Sequence, residues 1–289
     1  MYAGYRALRQ ANQWDLYSEH AERLARAYYY ANISFIDEQI GRILATARET
    51  GALDNALVVF TSDHGELLGD HWLWAKSQAY EGALRVPLVV WGPQWIAGGG
   101  RCEAPVSLLD VFPTVWQRLA RAGAGVGVLA ERPGRDLVAL AAGARAGAEV
   151  DDAPQCIELG AAPRRLLAIR TRAWKYAWHE NGAFEELFDL VNDPGELLNL
   201  AADGGYAGEK GALQEQLRSW IHQHSDPARA FAADGGFPRA DFRPHVGSRG
   251  PLTNDQPPWR LGVPPACLPS EQVPWWWRSR IDHRVFLEP

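Results

Sequence analysis

Three residues in one short stretch have the types that chemistry at an anionic ester needs. Asp63 offers a hard anionic oxygen, His64 an imidazole nitrogen, and Lys76, 13 residues after Asp63, a cation. A carboxylate and an imidazole on adjacent residues can both reach one divalent cation, and the lysine can hold an anionic substrate beside it. That combination points to ester hydrolysis at phosphorus or sulfur. An isolated Asp-His-Gly would read only as a turn after a strand, with a solvated lysine beyond it. The elements around these residues argue for more. Residues 56–60 form a continuous apolar run, expected to be a buried strand of a parallel sheet. Asp63 and His64 then fall at its carboxyl end, where open α/β sheets bind their ligands. Gly65 is expected to let the backbone turn sharply there. A loop carrying Trp72, Trp74, Tyr80 and Glu81 leads to a second apolar strand over residues 86–91.

Before this stretch, residues 18–50 read as one helix. Ser18 can cap it, Glu19 and Glu22 suit its positive end, and Arg48 and Gly51 suit its stop. Tyr29, Ile33, Ile36, Ile40, Ile43 and Ala47 recur at helical steps and predict one buried face. His20 and Asp37 are read as solvated or structural. After Gly92 and Pro93, residues 104–108 read as a short strand and 110–119 as a helix with Pro113 in its first turn. The Gly98–Gly100 run is no phosphate loop, since no Gly-Lys-Ser/Thr follows it. Residues 121–155 are an Ala/Gly-rich connection with one short helical piece. From Cys156 a smaller unit is expected, with strands over 166–170, 174–178 and 187–190. Asn181-Gly182 is its hairpin turn, Asp193-Pro194-Gly195 a second turn, and 213–222 a helix that packs on the sheet. Lys175 and His179 are read there as solvated or structural residues. Eleven of the 19 prolines lie in the last 64 residues together with Trp259 and Trp275–Trp277. Prolines exclude a central strand and large aromatics seek burial. Residues 226–289 therefore read as an extended arm that covers its own surface or a second copy of the chain.

The 289 residues are 47% hydrophobic and 22% charged, with a net charge of −6. That is an ordinary balance for a globular chain, and it gives no footprint for a nucleic-acid partner. The three cysteines, Cys102, Cys156 and Cys267, form neither a disulfide framework nor a zinc site of familiar spacing. No apolar run reaches the length of a membrane span. The first 20 residues lack the apolar core of a secretory signal, and localisation stays open.

The stretch TSDHGELLGDHWLWAKSQAYEGALRVPLVV resembles the second metal-binding motif of the formylglycine-dependent sulfatases, in the alkaline phosphatase superfamily. AYYYANISFIDEQIGRIL, APVSLLDVFPTV and ELFDLVNDPGELLNLA are similar to further segments of that family. The resemblance implies an α/β fold: the later part of an alkaline-phosphatase-like α/β/α sandwich over residues 1–120, and the connection 121–155. A small C-terminal α+β subdomain with an antiparallel sheet (156–225) and the arm 226–289 follow. It also implies that Asp63 and His64 ligate a divalent cation, usually Ca2+, with Mn2+ open because imidazole suits softer cations. Lys76 would bind the sulfate group or the bridging oxygen of a small sulfate-ester substrate.

The family's nucleophile, a formylglycine made within Cys- or Ser-x-Pro-x-Arg, would precede the Asp-His pair, and no such motif does. Cys267-Leu268-Pro269-Ser270-Glu271 resembles it but ends in Glu and comes too late, so it is not read as the nucleophile. The chain is therefore expected to be the later part of a sulfatase, inactive on its own. The alternatives are a phosphonate monoester or phosphodiester hydrolase of the same superfamily, and a non-catalytic remnant with a binding or structural role.

Overall fold

The computed structural model describes residues 5, 6, 9, 12, 14, 17–96, 98–123, 132–149, 152–160, 164–225, 231 and 236–241. Most of the expected arm, with Trp259, Cys267 and Trp275–Trp277, lies outside them. The described residues fall into two compact units, one within 5–39 and 68–74, the other within 40–67 and 75–241. The long helix α1 (Glu19–Glu49) runs from the first into the second. Ser18 caps it as expected, its Oγ accepting from the Ala21 N–H at 3.2 Å. Gly51 ends it with a left-handed backbone at φ 73°. The predicted buried face is not buried: no residue of α1 is, and Ile33, Ile36 and Ile43 are 49%, 53% and 66% exposed. Periodicity shows which face of a helix seeks cover; it does not supply the cover. In the first unit, Arg26 Nε donates to the Leu68 carbonyl at 2.7 Å, and the Tyr17 ring packs at a tilt against Trp74. No described helix is long and apolar enough to cross a membrane.

In the second unit, strand β1 (Val58–Thr61) pairs with β2 (Leu88–Trp91), with Val58 opposite Trp91 and Thr61 opposite Leu88. The pair is antiparallel and none of its residues is buried, which corrects the reading of a buried parallel strand; Phe60, Val89 and Trp91 are exposed. A continuous apolar run shows that a strand seeks cover on both faces; it neither supplies that cover nor sets strand direction, and here the loop over 62–87 brings the chain back along itself. That loop contains a one-turn helix, α2 (Glu81–Leu84). The strand expected at 104–108 is absent. Ser107 and Asp110 form a capping box there: the Ser107 N–H donates to Asp110 Oδ2, and Ser107 Oγ caps the turn Leu108–Asp110. Helix α3 (Val111–Arg121) follows with Pro113 in its first turn. Buried Thr114 and the Arg118–Asp136 ion pair join it to α4 (Leu137–Arg145), the one helical piece of the connection among the described residues.

A four-stranded antiparallel meander completes this unit: β3 (Gln155–Leu159), β4 (Leu166–Arg170), β5 (Trp174–His179) and β6 (Phe184–Asp189). Side chains alternate across a sheet, so Leu167, Ile169, Tyr176, Trp178 and Leu187 share one face. Helix α5 (Ala207–His224) covers that face with Leu213, Leu217 and Ile221. Phe237, which belongs to the start of the expected arm, stacks on Trp178 in the same core. The opposite face carries Leu166, Ala168 and Ala177, packed against Ala79 and Leu84. Arg170, Lys175, His179 and Glu186 belong to it by register. The β5–β6 turn departs from the expected hairpin type. Gly182 takes the left-handed backbone at φ 83° and Ala183 at 50°, while Asn181 is not among the left-handed residues.

Candidate functional site

Strand β1 stops at Thr61, and the next three residues fold back on their own backbone. Ser62 Oγ donates to the His64 carbonyl at 2.7 Å, and the His64 N–H donates to Asp63 Oδ1 at 3.0 Å. A short acid can bond neighbouring backbone in this way. The arrangement leaves Asp63 Oδ2 free of the turn and the carboxylate mostly in solvent. The His64 ring is half-buried, with Nδ1 2.7 Å from the Gly65 carbonyl. A carbonyl only accepts, so Nδ1 carries the proton and Nε2 presents its lone pair.

The 13-residue gap to Lys76 closes because the intervening excursion is pinned at its neck. The Leu67 N–H donates to the Ala75 carbonyl at 3.1 Å, and the Ala75 N–H donates to Glu66 Oε1. Ala75 adopts the left-handed backbone, at φ 68°, and Lys76 then emerges beside the imidazole with Nζ in hydrogen-bond contact with His64 Nε2. All three residues predicted from the sequence thus come together. Asp63 Oδ2 and His64 Nε2 are 3.5 Å apart, a separation that two ligands of one cation with ~2.3–2.6 Å bonds can adopt. The donor set, a hard anionic oxygen and a tautomerically fixed imidazole nitrogen, fits a divalent cation. A cation at Nε2 would require the Lys76 ammonium to leave that lone pair. Among the described residues, no group of three or more His, Cys, Asp and Glu forms a metal cluster.

Gly65 has a different reason to be glycine from the one expected. Its φ is not in the left-handed region; what it permits is close approach. A β-carbon there would stand 2.1 Å from the Gly82 carbonyl oxygen. The Gly65 N–H donates to the Ala83 carbonyl at 2.8 Å, so α2 lies directly behind His64.

Helix α2 is in turn held by the charged face of the meander. Tyr80, buried, donates its hydroxyl to Glu186 Oε1 at 2.8 Å, and Glu186 Oε2 is 2.7 Å from His179 Nε2. Glu81 meets Lys175 Nζ at 3.0 Å and Arg170 at 3.1 Å, and its N–H donates to Glu196 Oε2 at 2.7 Å. Lys175 also pairs with Glu196. Burial pushes the Glu81 carboxyl up, but Lys175 and Arg170 outweigh it and hold the group below the ordinary carboxylate value. Burial raises the Glu196 carboxyl, and Lys175 offsets only part of that. Lys175 and His179 are accordingly structural and not solvated. Arg170, Glu186 and Glu196 escaped the sequence reading. The available signal was alternation within WKYAWH and FEELFD, which puts Lys175, His179 and Glu186 on one face, beside Ala177, Phe184 and Phe188.

Comparison with known proteins bears on the same segments. The family description "Sulfatase" matches residues 2–120, and "N-sulphoglucosamine sulphohydrolase, C-terminal" matches 69–223, more than half of the chain. This chain belongs to the sulfatase family. It is 39% identical over 188 residues to a choline-sulfatase of Rhizobium meliloti (strain 1021), covering 65% of this chain and 35% of that protein. Its fold is similar to that of a phosphonate monoester hydrolase of Agrobacterium radiobacter, with TM-score 0.58 and 32% identity, over 74% of this chain and 45% of that one. It is also similar to BT4656, solved with its substrate D-glucosamine-2-N,6-O-disulfate, with TM-score 0.59 and 28% identity over 68% and 40% of the two chains. These likenesses bear out the α/β sulfatase-like fold. The sulfatase chain described here spans about a third of the length of the curated relatives it matches first.

Proposed function

We propose that this chain carries the cation- and anion-binding part of a sulfate-ester hydrolase site. The observation that supports this most is the convergence of Asp63 Oδ2, His64 Nε2 and Lys76 Nζ from positions 13 residues apart. Asp63 and His64 would hold a divalent cation, Ca2+ or Mn2+. When bound, such a cation neutralises charge on the non-bridging oxygens of an ester. Lys76, displaced from His64 Nε2, is free to turn its ammonium to the sulfate group or to the bridging oxygen. Its exposed side chain can make that movement without disturbing the core. Asp63, kept in solvent by the turn it closes, orients the cation at the end of β1. These are binding and orienting roles, and none of the three residues supplies the attacking oxygen. Likeness to a choline-sulfatase favours sulfur at the reacting centre. A second reading, hydrolysis of phosphonate monoesters, is favoured by the structural likeness to the Agrobacterium radiobacter enzyme.

Calorimetric titration with Ca2+ and Mn2+ tests the cation assignment. Binding is expected in the wild-type chain and its loss in Asp63→Ala, with the circular dichroism of the two proteins alike. Equal affinity in both would remove Asp63 from the site. Inorganic sulfate and methylphosphonate, titrated in parallel into the cation-loaded chain, separate the two substrate readings by relative affinity.

A further inference from the structure

We infer that Glu196, acting with Lys175, is a positioning residue for His64: it fixes the short helix α2, against which the Asp63–His64 side of the candidate site is built. The inference rests on the sulfate-ester reading only for what the positioned residues bind.

A four-residue helix does not hold itself, because one turn fixes several backbone angles for very few hydrogen bonds. Its cap residue, Tyr80, provides no side-chain hydrogen bond to the first turn. The Glu81 N–H, one of the unpaired donors of that turn, is met instead from 115 positions along the chain by Glu196 Oε2 at 2.7 Å. Glu196 is 4% exposed and has a left-handed backbone at φ 56°, an uncommon conformation for a residue with a side chain. Burying a carboxylate and an ammonium together is weak as a source of stability, since apolar residues of the same size often do as well. What a charged pair supplies and an apolar pair does not is direction. Lys175 Nζ faces Glu196 and Glu81 at once, so the cation fixes the carboxylate that fixes the helix.

From α2 the constraint passes to the site along one short route. The Ala83 carbonyl holds the Gly65 N–H at 2.8 Å, next to His64. Asp63 accepts from the His64 N–H and so follows the His64 backbone. Lys76 lies four residues before Tyr80, which is tied to the sheet separately through Glu186. Loss of the Glu196 charge is therefore expected to shift the Asp63–His64 pair relative to Lys76.

Two readouts test this on the full chain in Glu196→Gln, with Glu196→Gln/Lys175→Met as the second variant. The first is hydrogen exchange of the Gly65 amide and of residues 80–84, with the amides of Leu213, Leu217 and Ile221 in α5 as an internal reference. The second is the affinity of the cation-loaded chain for inorganic sulfate, with Lys76→Ala as control. Positioning predicts about ten-fold faster exchange behind His64 with α5 unchanged, and about ten-fold weaker sulfate binding. If sulfate binds through Lys76 and binds equally well in Glu196→Gln, the inference is overturned while the site assignment stands. If the wild-type chain binds no sulfate through Lys76, the site assignment falls and exchange decides alone: faster exchange behind His64 upholds the positioning role, unchanged exchange rejects it. Should exchange in α5 also accelerate in Glu196→Gln, the double variant, which leaves no lone buried charge, is read by the same two criteria.

Discussion

Replacing Gly65 by alanine is the smallest change that tests how His64 is placed. The new methyl carbon would lie 2.1 Å from the Gly82 carbonyl oxygen and 3.1 Å from its carbon. Both are backbone atoms, so no side chain can swing aside, and β1's exit and α2 must part. Separation stretches the 2.8 Å hydrogen bond from the Gly65 N–H to the Ala83 carbonyl. Overpacking of this kind costs about 1–3 kcal/mol and a lost hydrogen bond about 0.5–1.5 kcal/mol. Together these give about 2–4 kcal/mol of lost stability. The penalty is contact, not backbone strain, because Gly65 is not left-handed. Gly82→Ala is the control: its methyl would meet the flexible end of Leu67 at 3.2 Å, and a cost under about 1 kcal/mol is expected. Urea unfolding followed by tryptophan fluorescence measures both. Gly65→Ala within about 0.5 kcal/mol of wild type would refute the close-approach argument.

Other perturbations probe the surrounding structure. Lys175→Met leaves Glu196 buried without its cation and Glu81 with Arg170 alone, and should cost about 3–5 kcal/mol near neutral pH. The loss should shrink in acid. The lowered Glu81 carboxyl contributes stability above its ordinary value of 4.5 that fades as pH falls through the folded value, whereas protonating the raised Glu196 carboxyl relieves the folded state. Urea midpoints at about pH 7.5 and pH 5 measure this, and a pH-independent difference would count against the ionic account. Burial pushes the Cys156 thiol up to about 12, whereas Cys102 is exposed. Iodoacetamide at mildly alkaline pH should therefore label Cys102 well before Cys156, as peptide mapping would show; comparable rates would mean that β3 is open to solvent.

The sequence was most legible where local chemistry decides the outcome. Ser18, Arg48 and Gly51 mark the ends of α1 within a residue or two, and LLAIR reads as β4 residue for residue. Asp63, His64 and Lys76 were legible because each has a type suited to the chemistry and a spacing that one loop can close. What escaped depends on partners far along the chain. The direction of β1 relative to β2 and the uncovered face of α1 are of this kind. So is the set of Arg170, Lys175 and Glu196 around Glu81, whose members lie 89, 94 and 115 positions away. Residues 104–108 misled because an apolar run beside Pro105 looks extended, while Ser107 and Asp110 had already committed it to a cap. Strand β3 was missed because Gln155–Leu159 follows an acidic linker and includes Glu158, which faces solvent.

The central claim is that Asp63, His64 and Lys76 act as one site in which a cation and an ammonium share an anion. Calorimetric titration of inorganic sulfate into the chain, with and without Ca2+ or Mn2+, tests this most directly in wild type, Asp63→Ala and Lys76→Ala. The account predicts sulfate binding that requires the metal, is lost in Lys76→Ala while metal binding persists, and is lost together with metal binding in Asp63→Ala. Sulfate binding that is independent of the metal and unchanged in Lys76→Ala would contradict it.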